Sequence, residues 1–351
     1  MPFCGSPAKS KMGSGRRLIM VELIRSDTLR FTFPKVHKDA FLDIRFIRTL
    51  RVPDDGRVNK LPPGFDSFQM EHVADHARQV PANWKKHGGV MMPMYQSEAM
   101  WMSFNSPSDY PFAVKVACGK CCALTGNAWE DGLIQGQRRT ADDEINLQNY
   151  LVVPKQPWLD GFNTGKNEVR QFVAEPLGEG ITVEEQLMGH AEFGGIQIQV
   201  FPLDPDIWEM MKKRELEEEC ILCCKQKLYA PMIGCAEMGL AAGGRIRQEI
   251  YKDKRPLDEW DLKDTSRVFV HLMNAKQWTE VTGQPMPHEP FDTETYNRAG
   301  FPWFDYYADT PTIGAGEKLT KIKSIAEWDP SLKGSDIADP TMIVKYKKPK
   351  K

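Results

Sequence analysis

Proline and glycine punctuate this chain from end to end, and that punctuation limits what it can fold into. There are 25 prolines and 27 glycines among 351 residues, with no block that gathers them. Proline removes a backbone donor and breaks a helix or a central strand, and glycine weakens either. Elements must therefore be short and turns frequent. The expected fold class is α+β, with strand-rich mixed or antiparallel sheet(s) and a few short capped helices, not a helical bundle or a regular βαβ series. Hydrophobic residues make up 41% and charged residues 27%. That is globular composition, and a chain of this length buries a large core without needing disulfides or metal. The net charge of −2 excludes a chain-wide electrostatic case for nucleic acid or an acidic membrane, though not a local basic patch.

Periodicity places the elements. Ile196-Gln197-Ile198-Gln199-Val200 alternates as a strand buried on one face does. Leu42, Ile44 and Phe46 alternate likewise, and further strands are expected at 90–95, 99–104, 112–124, 150–153, 169–174 and 267–272. Val73, Ala77 and Val80 suggest a helix within 68–87 that Pro81 interrupts. Thr182-Val183-Glu184-Glu185 is a capping box opening a short helix. Helices are also expected over 207–227, over 274–281 with Gly283 closing it, and after Asp292 up to Gly300. The polar stretch 131–148 reads as a long loop.

No Pro/Gly/Ser linker divides 40 from 310. The expected organisation is a flexible arm over 1–17, one compact unit over 18–310 that could comprise two closely packed halves, and an extended segment over 311–351 with a basic tail. That tail is Lys345-Tyr346-Lys347-Lys348-Pro349-Lys350-Lys351. The first apolar run, at 18–24, is interrupted by Glu22 and too short for a signal peptide, and a cytoplasmic location is the expectation. Eight cysteines in such a chain do not suggest a disulfide framework.

Three constellations could carry chemistry. Cys118-Gly119-Lys120-Cys121-Cys122 and Cys220-Ile221-Leu222-Cys223-Cys224 are two CxxCC clusters. They could offer four thiolates to Zn²⁺, but the first continues an apolar strand and their separation is too long for a compact zinc ribbon. Buried thiols that simply pack are the favoured reading, and no metal or cofactor is assigned. His72 and His76 lie at i,i+4 without the metalloprotease pattern and read as surface residues. No phosphate-binding glycine motif and no serine-hydrolase elbow occurs.

The second constellation is aromatic. Gln156-Pro157-Trp158-Leu159-Asp160-Gly161 and Gly300-Phe301-Pro302-Trp303-Phe304-Asp305-Tyr306-Tyr307 each place Trp after Pro with an Asp close behind. Such a loop either anchors a partner or packs down on its own sheet. The third is polar: Asp160, Arg170, Glu175, His190 and Glu192 offer the acid, base and cation that general acid–base chemistry needs. The candidate binding residues are thus Trp158, Asp160, Arg170, His190, Glu192, Trp303 and Asp305. A binding or assembly protein, with a protein partner or its own copies, is the leading reading. An enzyme with a site around 158–192 and a thiolate metal or redox protein are the alternatives. No membrane contact is expected, and nucleic acid only through the basic tail.

Several segments resemble a set of bacterial and fungal proteins without an assigned activity. They are 48–56, 93–101, the QPWLDG run at 156–161, RQFVA at 170–174, 194–197, and the 299–307 stretch ending in PWFDYY. Together they cover roughly 45–310. The resemblance implies that the middle of the chain is one module and both ends are additions. In those proteins the segment matching 118–124 is not cysteine-rich, which weighs against a metal there. It transfers no catalytic residue.

Overall fold

Alternation and short strands produce two large sheets in the computed structural model, which describes residues 21–139, 144–218, 238–290, 303–305, 311–334 and 343–345. Strands are numbered along the chain. The larger sheet runs β1 (Val21–Ile24), β2 (Thr28–Thr32), β3 (Phe41–Thr49), β8 (Ala99–Asn105), β16 (Glu168–Pro176), β18 (Met238–Arg247) and β4 (Val58–Asn59). β5 (Gly64–Ser67) pairs with β3, β14 (Trp158–Leu159) with β8, and β15 (Gly161–Gly165) with β16. The smaller sheet runs β10 (Cys121–Cys122), β9 (Phe112–Cys118), β17 (Ile196–Pro202), β19 (Ser266–Met273), β7 (Val90–Pro93) and β6 (Glu71–His72), with β13 (Leu151–Val153) on β9. Two ribbons complete it: β11 (Gln137–Arg139) with β12 (Glu144–Asn146), and β20 (Trp303–Asp305) with β21 (Ile343–Lys345). Pairing is antiparallel except for β4–β18, β7–β19 and β20–β21. The chain is α+β, as its punctuation requires.

One face of each sheet meets in a common core. Leu42, Ile44 and Phe46 of β3 and Met100, Met102 and Phe104 of β8 belong to the same buried cluster as Ile196, Ile198 and Val200 of β17. Removing such side chains from water is the main favourable term, about 1.5–3 kcal/mol each. The other faces differ. On the larger sheet, Ala99, Val173 and Ala241 carry Ile181, Ile325 and Leu332. Glycine makes that approach possible: a Cβ on Gly239 would lie 2.7 Å from Leu177 Cδ2 and 2.9 Å from Thr182 Cγ2. On the smaller sheet, Met91 and Met273 are capped by Trp84 of α1 (Ala82–His87) and by Trp278 and Val281 of α4 (Ala275–Thr282).

The helices follow their caps. α2 (Val183–Met188) starts at the Thr182/Glu185 capping box and stops at left-handed Gly189. α4 starts at Asn274, whose side chain accepts from Gln277 N–H, and stops at left-handed Gly283. α3 is described over Pro205–Glu218, and the remainder of the expected 207–227 lies outside the described residues. The helix sought within 68–87 is only a 3₁₀ turn, Val73–His76, followed by α1. Pro81 ends one segment and starts the next, leaving neither long enough for the assumed apolar stripe. The 131–148 stretch is not a bare loop, because it holds the β11–β12 ribbon.

Beyond residue 310, Ile313, Leu319 and Ile322 lie in the main core and Ile325 in the outer cluster. The arm 1–17, the helix expected after Asp292 and most of the basic tail lie outside the described residues. Among the described residues no helix is long and apolar enough to cross a membrane.

Candidate functional site

The segment that follows β16 and the segment that precedes residue 328 meet on the outer side of the larger sheet. After Pro176 the chain turns through Gly178 and Gly180, both at positive φ, and enters α2. Glu185 closes this turn on itself. Its Oε1 accepts from Gly178 N–H at 2.7 Å and Gly180 N–H at 3.3 Å, and its Oε2 from Thr182 N–H at 3.2 Å and Thr182 Oγ1 at 2.6 Å. A carboxylate held by four donors is committed to the turn and leaves little negative potential outside it.

Opposite lies α5 (Ile325–Trp328), opened by a second capping box in which Ser324 and Glu327 exchange hydrogen bonds. Ile325 is fully buried against the sheet. A line of charge holds the helix down. Asp54 Oδ2 accepts from Ala326 N–H at 2.9 Å, and Arg170 reaches Asp54 at 3.4 Å and Glu327 at 3.3 Å. Burial opposes ionisation of Glu327, but the Ser324 N–H and the Arg170 guanidinium outweigh it and hold the carboxyl below its usual range. Gln186 of α2 then ties the two sides. Its Nε2 donates to Lys323 O at 3.0 Å and its Oε1 accepts from Lys323 N–H at 2.7 Å.

Between these walls is an open cleft of about 890 Å³, within the size range of small-molecule sites. Lys321, Lys323, His190 and Trp328 line it, with glycine backbone and Glu185. Lys321, Lys323 and His190 are exposed. Among the described residues neither ammonium has a carboxylate within 4.0 Å, whereas Lys323 Nζ lies 5.5 Å from the centre of the Trp328 ring. Trp328 is 44% exposed. The lining therefore presents two lysine charges, an imidazole and an indole, and its one carboxylate is already satisfied. Two lysine charges with no described carboxylate within 4.0 Å make the lining electropositive.

The sequence-derived candidates do not converge here. His190 lines the cleft. Arg170 lies beneath it, positioning α5 through Glu327. Glu192 pairs with Lys120, away from the cleft lining. Trp158 and Asp160 sit at β14 and its junction with β15 inside the larger sheet, where Asp160 N–H donates to Gln248 Oε1 at 2.9 Å. Burial pushes the Asp160 carboxyl well up, against a hydrogen bond from Trp158. Glu175 is buried too, accepting from Ser97 Oγ at 2.8 Å and Gln96 Nε2 at 3.1 Å. Trp303 and Asp305 fall on β20, and their side chains lie outside the described residues.

Lys321, Lys323 and Trp328 were not singled out from sequence. The Ser324-x-x-Glu327 capping box beside two alternate lysines was the available signal.

The first cysteine cluster is a packed hairpin. Cys118 and Cys121 face each other across β9 and β10. Burial pushes the Cys118 thiol well up and that of Cys121 up to about 12. Cys121 Sγ donates to Val183 O at 3.9 Å and Cys122 Sγ to Asn149 O at 3.6 Å, both as thiols. Cys220 and Cys223 lie outside the described residues. Glu71 bonds His76, and among the described residues no three His, Cys, Asp or Glu side chains gather as a metal-ligand set. No protein-family model, no curated protein and no solved structure matches this chain.

Proposed function

We propose that this chain is a binding protein whose cleft between α2 and α5 takes a small anionic ligand. The observation that carries the reading is the pair Lys321 and Lys323, exposed beside Trp328 with no described carboxylate in reach, in a cleft whose one acidic residue is fully hydrogen-bonded within its own turn. A cleft lined by one sign of charge concentrates ligands of the other sign. The glycines at 178, 180 and 189 add no side chains that would block entry. The walls are already fixed by two capping boxes, the Gln186–Lys323 pair and the Asp54–Arg170–Glu327 line, so little ordering cost falls on binding.

Calorimetric titration with tripolyphosphate tests this. Saturable binding that falls as salt rises, and that weakens about 10- to 100-fold in the K321E/K323E double variant at unchanged melting temperature, is the expected result. No heat of binding, or equal binding in the double variant, would reject it.

A further inference from the structure

We propose that the anion is a nucleoside polyphosphate, its base stacked on Trp328 and its phosphates on Lys321, Lys323 and His190; this rests on the anion-binding reading above. The indole is the reason. Among the described large apolar side chains that are exposed, namely Val58, Ile134, Met210, Leu262 and Trp328, only Trp328 is aromatic. It is also the only one of them that lines the cleft. No described aromatic ring packs on it, and Lys323 Nζ lies 5.5 Å from its ring centre. Its six-membered edge rests at Gly180, where an added Cβ would lie 3.2 Å from Cζ2 and 3.3 Å from Cη2. Gly180 thus seats the ring without a side chain covering it. A planar ligand recovers the exposed area by stacking, and every nucleobase has a face to offer.

The remaining groups suit phosphate. Lysine binds phosphate as a point charge without demanding one planar geometry. Lys321 ends a 3₁₀ turn (Leu319–Lys321) and Lys323 follows one residue later, with buried, extended Ile322 between them, so both exposed side chains leave the chain close together beside the cleft. The backbone N–H groups of Gly178 and Gly180 already donate to Glu185, which leaves phosphate to the side chains. Lys323 stands at both subsites, near the ring and among the cations, and so sets their order: base over Trp328, phosphates toward Lys321 and His190. A ligand with only one of the two parts leaves the other subsite unused.

The test titrates the full chain separately with ATP, adenosine and tripolyphosphate, then repeats all three with Trp328→Ala and Trp328→Phe. ATP should bind at least about tenfold more tightly than either fragment. Trp328→Ala should weaken ATP about 5- to 100-fold while leaving tripolyphosphate unchanged. Trp328→Phe should recover part of the loss, which separates stacking from damage to α5. If tripolyphosphate binds as tightly as ATP and Trp328→Ala changes neither, the nucleotide assignment falls while the anion reading stands. If neither phosphate compound binds the wild type, both fall. Tighter binding of a single-stranded oligonucleotide than of ATP would also overturn the assignment to a free nucleotide.

Discussion

The outer faces of the two sheets use the same residue types to opposite ends. On the smaller sheet, Lys115 is 1% exposed, lies 4.6 Å from the Trp129 ring centre, and donates to the carbonyls of Glu130 and Gly132. Arg267 sits 4.5 Å from Trp129 and 4.9 Å from Phe269, and donates to Gln197 Oε1. His271 stacks on Trp84 at 4.6 Å. Each of these groups finds its ring or acceptor within the protein. On the larger sheet, Lys321, Lys323 and Trp328 point into an open cleft with most of their capacity unused. Composition does not distinguish a structural cation from a ligand-binding one. The difference lies in whether the fold supplies the partner.

Four changes would break or sharpen this contrast. The largest effect is expected at Lys115. Burial lowers its tendency to hold a proton, and the two carbonyls are its compensation. Lys115→Ala removes a packed stem and orphans those acceptors, so it should cost about 2–4 kcal/mol by urea unfolding, with anion affinity unchanged.

His271 comes next. Burial, with a smaller push from His87 and against its hydrogen bond to Gly88 O, lowers its pKa to about 4 from 6.5. The unfolded chain therefore binds the extra proton between those values. The His271 contribution is complete above pH 6.5 and is lost as pH falls toward 4. That loss amounts to roughly 3 kcal/mol. The slope of stability against pH in that window should flatten in His271→Gln.

The third change is in the cleft. The K321E/K323E double variant should lower tripolyphosphate affinity about 10- to 100-fold, with a melting temperature near wild type. The smallest expected effect is at Arg170. Arg170→Ala frees α5 from the Asp54–Glu327 line and should weaken the same ligand only about threefold, because Ile325 and the Asp54 bond to Ala326 still hold the helix. A larger loss at Arg170 than at the lysines would mean that the guanidinium itself meets the ligand.

What could be read from sequence was what is local. Ile196-Gln197-Ile198-Gln199-Val200 became a strand, as its alternation predicts, but it is buried on both faces rather than one, because Gln197 and Gln199 find partners in Gly119 O and Thr265 Oγ1 on the other face. Thr182 and Asn274 opened helices because a cap needs only a residue and its third neighbour. Within 68–87 the interruption at Pro81 was legible, but the Val73, Ala77, Val80 spacing gave only a 3₁₀ turn, with Val73 and Val80 buried in the cluster around Met91 and Trp278.

The cleft was unreadable for a similar reason. It exists because Asp54, Arg170, Gln186 and the 321–328 stretch meet, and no spacing within the chain announces that meeting. Of the residues marked beforehand, His190 reached the lining and Arg170 its support. Asp160 is buried within the larger sheet, and its burial cannot be read from the residues around it in the sequence.

The central claim is that the cations of one face bind anions and those of the other do not. The direct measurement is a side-by-side tripolyphosphate titration of wild type, K321E/K323E and Arg267→Gln at one low salt concentration. The account predicts wild-type affinity in Arg267→Gln and about 10- to 100-fold weaker binding in the double variant. Loss of binding in Arg267→Gln, with the double variant unaffected, would contradict it and move the site to the smaller sheet.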